Sequence, residues 1–310
     1  MTPKRRAFIW KEDFELVREF LIHAYSLTRS FHNWIPSMFE NIKFGPCGPE
    51  YRDEEDEYIK IWEQPDASDV SPESKILAVT FCKPSGDCWI QIHPNYRYFE
   101  KEIVRWIESQ PRGLKDDGPS ELHFYVDETD KERKTLLTEL GYEDTGLHEY
   151  NRIRSVEQPI PEYQLPNGFA IRAADVEKDF TQYKRVQTAV FPHCSSMTPR
   201  TAQIYSTASF YNKDLDLVVV DPHGDFAAFT TVRMDPVSRM AELEPVGTHP
   251  DYRKRGLARS VICEGLRRLQ KYRPSSMCIL GAAPSDAANK LYESVGFIEK
   301  TEVHLWRKRL

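Results

Sequence analysis

From residue 169 onward the apolar positions change period several times, and each change predicts an element. Phe169-Ala170-Ile171-Arg172 reads as a short strand. Asp175 then offers a helix cap ahead of Tyr183, Val186 and Val190, at helical spacing up to the break at Phe191-Pro192. Thr198-Pro199 is a second helix start. The apolar run from Leu215 to Val220 ends in the turn signal Asp221-Pro222-His223-Gly224, which predicts a hairpin into a strand from Phe226 to Met234. After Asp235-Pro236, a strand from Met240 to Thr248 is the next antiparallel partner. Leu257, Val261, Ile262, Leu266 and Leu269 recur at helical spacing, Met277 to Leu280 is a short buried strand, and Ala287, Ala288, Leu291, Tyr292 and Val295 stripe another helix. The chain from Thr301 is a final strand. The pattern predicts an α+β (α/β layered) fold on a mostly antiparallel mixed sheet flanked by helices.

The first half repeats this order. His93-Pro94-Asn95-Tyr96-Arg97 returns as His249-Pro250-Asp251-Tyr252-Arg253, at an offset of 156. The strand Glu121 to Val126 and the helix ending at Leu140-Gly141-Tyr142 return as Met277 to Leu280 and a helix ending at Val295-Gly296-Phe297, at an offset of 155. Matched order at near-constant offset predicts a duplicated unit. The joint is the stretch from Ser155 to Gly168, where Pro159, Pro161 and Pro166 favour an extended linker. The expected domains are 1–158 and 159–310.

Composition fits this division. The chain has 310 residues, and single cores stop growing at about 250–300. A formal net charge of -6 with scattered basic residues argues against a nucleic-acid partner. No apolar window approaches the roughly eighteen residues of a membrane span, so no membrane partner and a cytoplasmic location are expected. The six cysteines lack metal-ligand spacing and read as free thiols, with no metal site. The acidic run Asp53-Glu54-Glu55-Asp56-Glu57 reads as a solvated loop.

The candidate chemistry lies between a strand and a helix, in Val246-Gly247-Thr248-His249-Pro250-Asp251-Tyr252-Arg253-Lys254-Arg255-Gly256-Leu257-Ala258. A loop entering a helix leaves backbone N–H groups unpaired at the positive end of the helix dipole, which makes an anion site. Arg253, Lys254 and Arg255 add full charges, and the small Gly256 and Ala258 let a phosphate approach the backbone. On the preceding strand, Glu242 and Glu244 alternate with period two and are expected on one face with Val246 and Thr248. A bulge before Pro245 would change that.

The loop resembles the acyl-CoA signature Q/R-x-x-G-x-G/A of the GNAT (Gcn5-related N-acetyltransferase) superfamily, with Arg253, Gly256 and Ala258 at the defining positions. Val246 to Tyr252 and Asn289-Lys290-Leu291-Tyr292-Glu293-Ser294-Val295-Gly296-Phe297 are similar to that family in order and spacing. The resemblance implies two tandem GNAT-like domains and an N-acetyltransferase that moves acetyl from acetyl-CoA, as co-substrate, to a primary amine on a small molecule or peptide by direct attack. It implies that the loop from Arg253 to Ala258 holds the pyrophosphate, that the backbone of Val246 and Thr248 pairs with the pantetheine arm, that an N–H of Val246 or Gly247 stabilises the oxyanion, and that Asn289 touches the coenzyme. Tyr292 would protonate the departing thiolate. Glu242 or Glu244 would be the base: Glu242, eleven residues before Arg253, has the spacing that some members use and is preferred, while Glu244 lies closer to the expected thioester, and a bulge before Pro245 would overturn the preference. His249 and His193 are lesser alternatives, and the segment from Phe191 to Met197 is a candidate specificity loop. A non-catalytic acyl-CoA-binding protein is the competing reading, and a loop for another phosphate ligand is a third.

The first copy departs at each of these points. Glu100 stands where Gly256 is, Glu102 where Ala258 is, Lys134 where Asn289 is and Leu137 where Tyr292 is, so the first half is expected to keep the fold without binding coenzyme. After Phe297 the thirteen remaining residues suffice for one strand, and the missing wall is expected from the other half.

Overall fold

A computed structural model describes residues 3–30, 34–46, 55–64, 75–110 and 120–310. The described chain forms two compact units, neither of them one uninterrupted stretch. One contains the described parts of 1–36, 52–149 and 301–310, and the other those of 37–51 and 150–300.

In chain order the elements are β1 (Lys4–Ile9), α1 (Trp10–Thr28), α2 (Pro36–Phe44), β2 (Glu55–Glu63), β3 (Ile76–Cys82), β4 (Asp87–Ile92), α3 (Glu100–Glu108), β5 (Glu121–Asp127), α4 (Lys131–Glu139) and β6 (Glu143–Arg154). They continue with β7 (Ala170–Ala173), α5 (Phe180–Val190), α6 (Pro199–Tyr205), β8 (Asp216–Val220), β9 (Phe226–Met234), β10 (Met240–Thr248), α7 (Leu257–Leu269), β11 (Ser276–Ala282), α8 (Asp286–Ser294) and β12 (Glu299–Arg309). This is the mixed α/β fold on a mostly antiparallel sheet that the apolar pattern predicts.

The first unit's sheet runs β1-β2-β3-β4-β5-β12, and every pairing is antiparallel except the parallel step from β4 to β5. The second unit's sheet runs β7-β8-β9-β10-β11 and then the end of β6, again with one parallel step, from β10 to β11. The duplication is therefore present in topology as well as in motif. Each sheet takes its sixth strand from the opposite half of the chain. β12 lies against β5, with Trp306 opposite Phe124, while Tyr150 to Arg154 of β6 lie against β11, with Arg152 opposite Ile279. This exchange is how the short stretch after Phe297 is completed.

The core of the second unit forms on both faces of its sheet. Val218, Phe226 and Phe229 pack under Tyr183 and Val186 of α5 on one side. Leu243, Met277 and Ile279 pack under Ile262 and Leu266 of α7 on the other. α6 starts where its cap signal places it, with Thr198 Oγ1 accepting the Thr201 N–H at 3.1 Å.

Three local readings change. α5 begins at Phe180 rather than beside Asp175, whose carboxylate instead accepts the Lys178 N–H at 3.2 Å in the turn before the helix. The acidic run is not simply a solvated loop. Asp53 and Glu54 lie outside the described residues, but Glu55 to Glu57 open β2, and Asp56 is buried where it accepts the Trp10 indole N–H at 3.1 Å. Of the cysteines, Cys82, Cys88, Cys263 and Cys278 are buried thiols, Cys47 lies outside the described residues, and Cys194 is disulfide-bonded. In the compact units, α2 packs with the second and β12 with the first. No described helix is long and apolar enough to cross a membrane.

Candidate active site

β10 carries the first feature of the site. Leu243 lies opposite Val232 of β9 and Val246 opposite Thr230, so three steps on β10 answer two on β9. The extra residue sits at Glu244-Pro245, a β-bulge. A bulge reverses the alternation of side chains beyond it, so Val246 joins Leu243 in one apolar cluster instead of sharing a face with Glu242. The period-two reading of Glu242, Glu244, Val246 and Thr248 as one face is thereby corrected.

The second feature is a divergence of strands. β10 and β11 pair over Met240 to Glu242 and Ser276 to Cys278, and there the pairing stops. β11 continues beside β6 as far as Ala282, and Val246, Gly247 and Thr248 continue beside β9. On the side away from β9, the backbone of those three residues meets no strand among the described residues. This wedge leaves peptide groups free to pair with an extended ligand.

Gly247 is required there by space. A Cβ at this position would lie 2.6 Å from the Phe229 ring and 2.9 Å from Val190 Cγ1. Gly247→Ala is expected to destabilise the protein by about 1–3 kcal/mol through overpacking, read as a lower midpoint in chemical denaturation.

The loop after β10 is organised by a local cap. His249 Nδ1 accepts the Asp251 N–H at 3.3 Å, and in the first unit His93 Nδ1 accepts the Asn95 N–H at 3.2 Å. The repeated histidine thus has the same turn-forming role in both copies. Arg253, Lys254, Arg255 and Gly256 are all exposed, and the three cations have no carboxylate partner among the described residues. Lys254 and Gly256 are left-handed, with φ of 63° and 77°. Gly256 is there for its backbone conformation, since open space surrounds the position of a Cβ. Leu257 turns its side chain into the core, so only its backbone N–H is available to an anion, and α7 begins with no side-chain cap on its first N–H groups.

The matching loop in the first unit is closed by its own ion pairs. Glu100, in the place of Gly256, is buried, with Arg97 at 3.0 Å and Arg133 Nε at 2.5 Å. Arg97 also meets Asp130 at 3.0 Å. Glu100 has an ordinary helical φ of -57° where Gly256 is left-handed.

The two glutamates differ sharply. Glu242 is buried; its Oε2 accepts the Ser37 hydroxyl at 2.7 Å and faces Arg233 at 3.8 Å. Ser37 belongs to α2, which is further tied to this unit by Ser209, whose N–H and hydroxyl donate to Glu40 at 3.0 and 2.7 Å, and by Arg233, which donates to Asn41 at 3.1 Å. Glu244, in the bulge, is partly buried, and burial pushes its carboxyl up to about 7, with Arg233 opposing and Glu242 reinforcing the rise. On α8, Tyr292 is partly buried against Phe297, and its hydroxyl is pushed up to about 12 by burial and by the charge of Glu244. Asn289 accepts a hydrogen bond from Arg152, which is fully buried at 0 % exposure. His193 is exposed in the turn between α5 and α6, beside the disulfide-bonded Cys194. Ser37, Glu40, Asn41, Arg152 and Arg233 carry no local signal in the sequence: Ser37 and Glu242 are 205 residues apart.

Comparison with known proteins bears on this arrangement. Residues 180–297 match the acetyltransferase (GNAT) family. A mycothiol acetyltransferase of Paenarthrobacter aurescens is 24% identical over 221 residues, covering 69% of this chain and 67% of its own. Another from Salinispora tropica is 28% identical over 222 residues, covering 67% and 68%. Among solved structures, a GCN5-related N-acetyltransferase from Sphaerobacter thermophilus has the same fold, with a TM-score of 0.65 and 14% identity over 99% of this chain and 95% of that one. A tandem GNAT protein from the clavulanic acid biosynthesis pathway aligns with a TM-score of 0.66 at 10% identity, over 99% and 98% of the two chains. Residues 180–297 thus carry a GNAT acetyltransferase domain, on a fold shared with a tandem GNAT protein.

Proposed function

We propose that the second unit transfers acetyl from acetyl-CoA to a primary amine by direct attack, with both substrates bound together. The observation that carries this is the wedge between β10 and β11, which opens beside Glu244 and leads to a loop of three cations with no carboxylate partner among the described residues. The loop from Arg253 to Ala258 holds the pyrophosphate through its cations and the first N–H groups of α7. The free edge at Val246 and Thr248 pairs with the pantetheine arm, and Asn289 holds it from α8. The thioester supplies an activated acetyl group.

Glu244 is the base, directly or through a water. A carboxyl near 7 is half ionised at neutral pH and matched to taking a proton from an ammonium. Glu242 is the weaker candidate, since Ser37 and Arg233 already engage its outer oxygen. The backbone N–H of Val246, which points away from β9, meets the oxyanion that forms as the amine adds to the carbonyl. When the carbon–sulfur bond breaks, Tyr292, still protonated with a hydroxyl near 12, delivers its proton to the thiolate. The second proton lost by the amine nitrogen as the adduct collapses restores the Tyr292 hydroxyl, directly or through water, the proton taken by Glu244 returns to solvent, and the products are an amide and free thiol. The mycothiol acetyltransferase relatives support a small-molecule acceptor over a peptide one.

The first copy lacks coenzyme in this reading, because Glu100 and its two arginines fill the place where Gly256 leaves the second loop open. Residues 159–310 then supply the coenzyme site, and the first half supplies support through α2 and β6.

The test is thiol release from acetyl-CoA against a panel of small amines. Tyr292→Phe is expected to lower kcat by about tenfold to a hundredfold while KM for acetyl-CoA changes little, at the low end for general acids because a thiolate is a good leaving group. Unchanged kcat, with chemistry shown to limit turnover, would contradict the assignment of Tyr292.

A further inference from the structure

Arg152 is a fully buried cation that the reaction as described does not use. It arrives on the strand that the first half of the chain lends to the second unit, opposite Ile279 of β11. Its Nη1 donates to the Phe297 carbonyl at 2.8 Å, and its Nη2 donates to Asn289 Oδ1 and lies 3.6 Å from Glu293. Its Nε has no hydrogen-bond partner among the described residues. The guanidinium carbon lies 6.0 Å from the centre of the Tyr292 ring and 5.4 Å from that of Tyr150. One side chain therefore grips α8 at residues 289 and 293, grips the chain just beyond it at 297, and sits over the residue between them.

Burying a cation is costly, and apolar residues of similar volume usually stabilise a core as well or better. The first unit shows that alternative within the same fold. Phe124, the counterpart of Ile279, lies opposite Trp306 of β12, and Leu137 stands in the place of Tyr292. Trp306 and Leu137 share one apolar cluster. The cation and the phenol occur together in one copy and are absent together from the other.

We propose that Arg152 is the positioning residue for Tyr292: it fixes α8 so that the hydroxyl faces the wedge, and it supplies the positive charge that offsets the phenoxide left after proton delivery. This rests on Tyr292 being the proton donor. Of the charges acting on that hydroxyl, Glu244 makes the proton harder to release and Arg152 makes it easier.

A double-mutant cycle separates this role from a structural one. Arg152→Met is expected to lower kcat about tenfold in the parent and less than about twofold in Tyr292→Phe. Arg152→Lys, which keeps the charge, is expected to recover part of the loss. If Arg152→Met does not fold, as circular dichroism would show, Arg152→Lys runs the same cycle with a smaller loss that again depends on the background. Equal losses in both backgrounds overturn the proposal while leaving Tyr292 as donor, and so does a lysine variant no better than the methionine one. A Tyr292→Phe protein that turns over like the parent overturns the donor reading and this proposal with it.

Discussion

Glu244→Gln is expected to lower kcat/KM for the amine by about a hundredfold to ten-thousandfold and to remove the acidic limb of the pH profile. In the parent, activity should rise with pH through about 7, where the Glu244 carboxyl ionises, and then level off. Glutamine keeps the volume and cannot take the proton, so the remaining rate should depend on pH only through the amine itself. The sign for stability is opposite. A carboxyl raised above its ordinary value favours the folded state most at low pH, and that contribution is lost as the pH rises through about 7. Above that pH the glutamine variant should therefore melt at a higher temperature than the parent while being far less active, a trade expected of a catalytic group. Glu242→Gln should behave differently. It weakens the bond to Ser37 and the pairing with Arg233, so it should lower stability and leave the acidic limb in place.

Gly256→Glu is expected to raise the dissociation constant for acetyl-CoA by about a hundredfold or more. Two effects add. A side chain at φ 77° costs roughly 1–2 kcal/mol of backbone strain, and a carboxylate at the loop repels the pyrophosphate that Arg253, Lys254 and Arg255 attract. The variant copies Glu100 of the first unit but lacks a counterpart of Arg133, since Ala288 stands at that place. Gly256→Ala is the control. It carries the strain without the charge, in a position where a methyl group meets nothing, and should lose about tenfold less affinity than the glutamate variant.

Much of the second unit is legible along the chain because its signals are local. The turn at Asp221 to Gly224, the Thr198 cap and the glycine loop each depend on neighbours a few residues away, and they fall where the pattern predicts. Two kinds of information are not local. The bulge at Glu244-Pro245 exists only relative to β9, so alternation on β10 alone places Glu242 and Val246 on one face, and the pairing register separates them. The exchange of β6 and β12 likewise depends on which edge each strand finds. That exchange brings Arg152 beside Tyr292, and the docking of α2 brings Ser37 to Glu242. The acidic run misleads for a related reason: five carboxylates in a row suggest solvent, but Asp56 is satisfied by an indole 46 residues earlier.

The central claim is that the chain holds one coenzyme site, in the half with the open cationic loop. Calorimetric titration of the full chain with coenzyme A tests it most directly. One molecule bound per chain is expected, with binding abolished or severely weakened in Gly256→Glu. Two molecules bound per chain, or one still bound at full affinity by the Gly256→Glu protein, would contradict it.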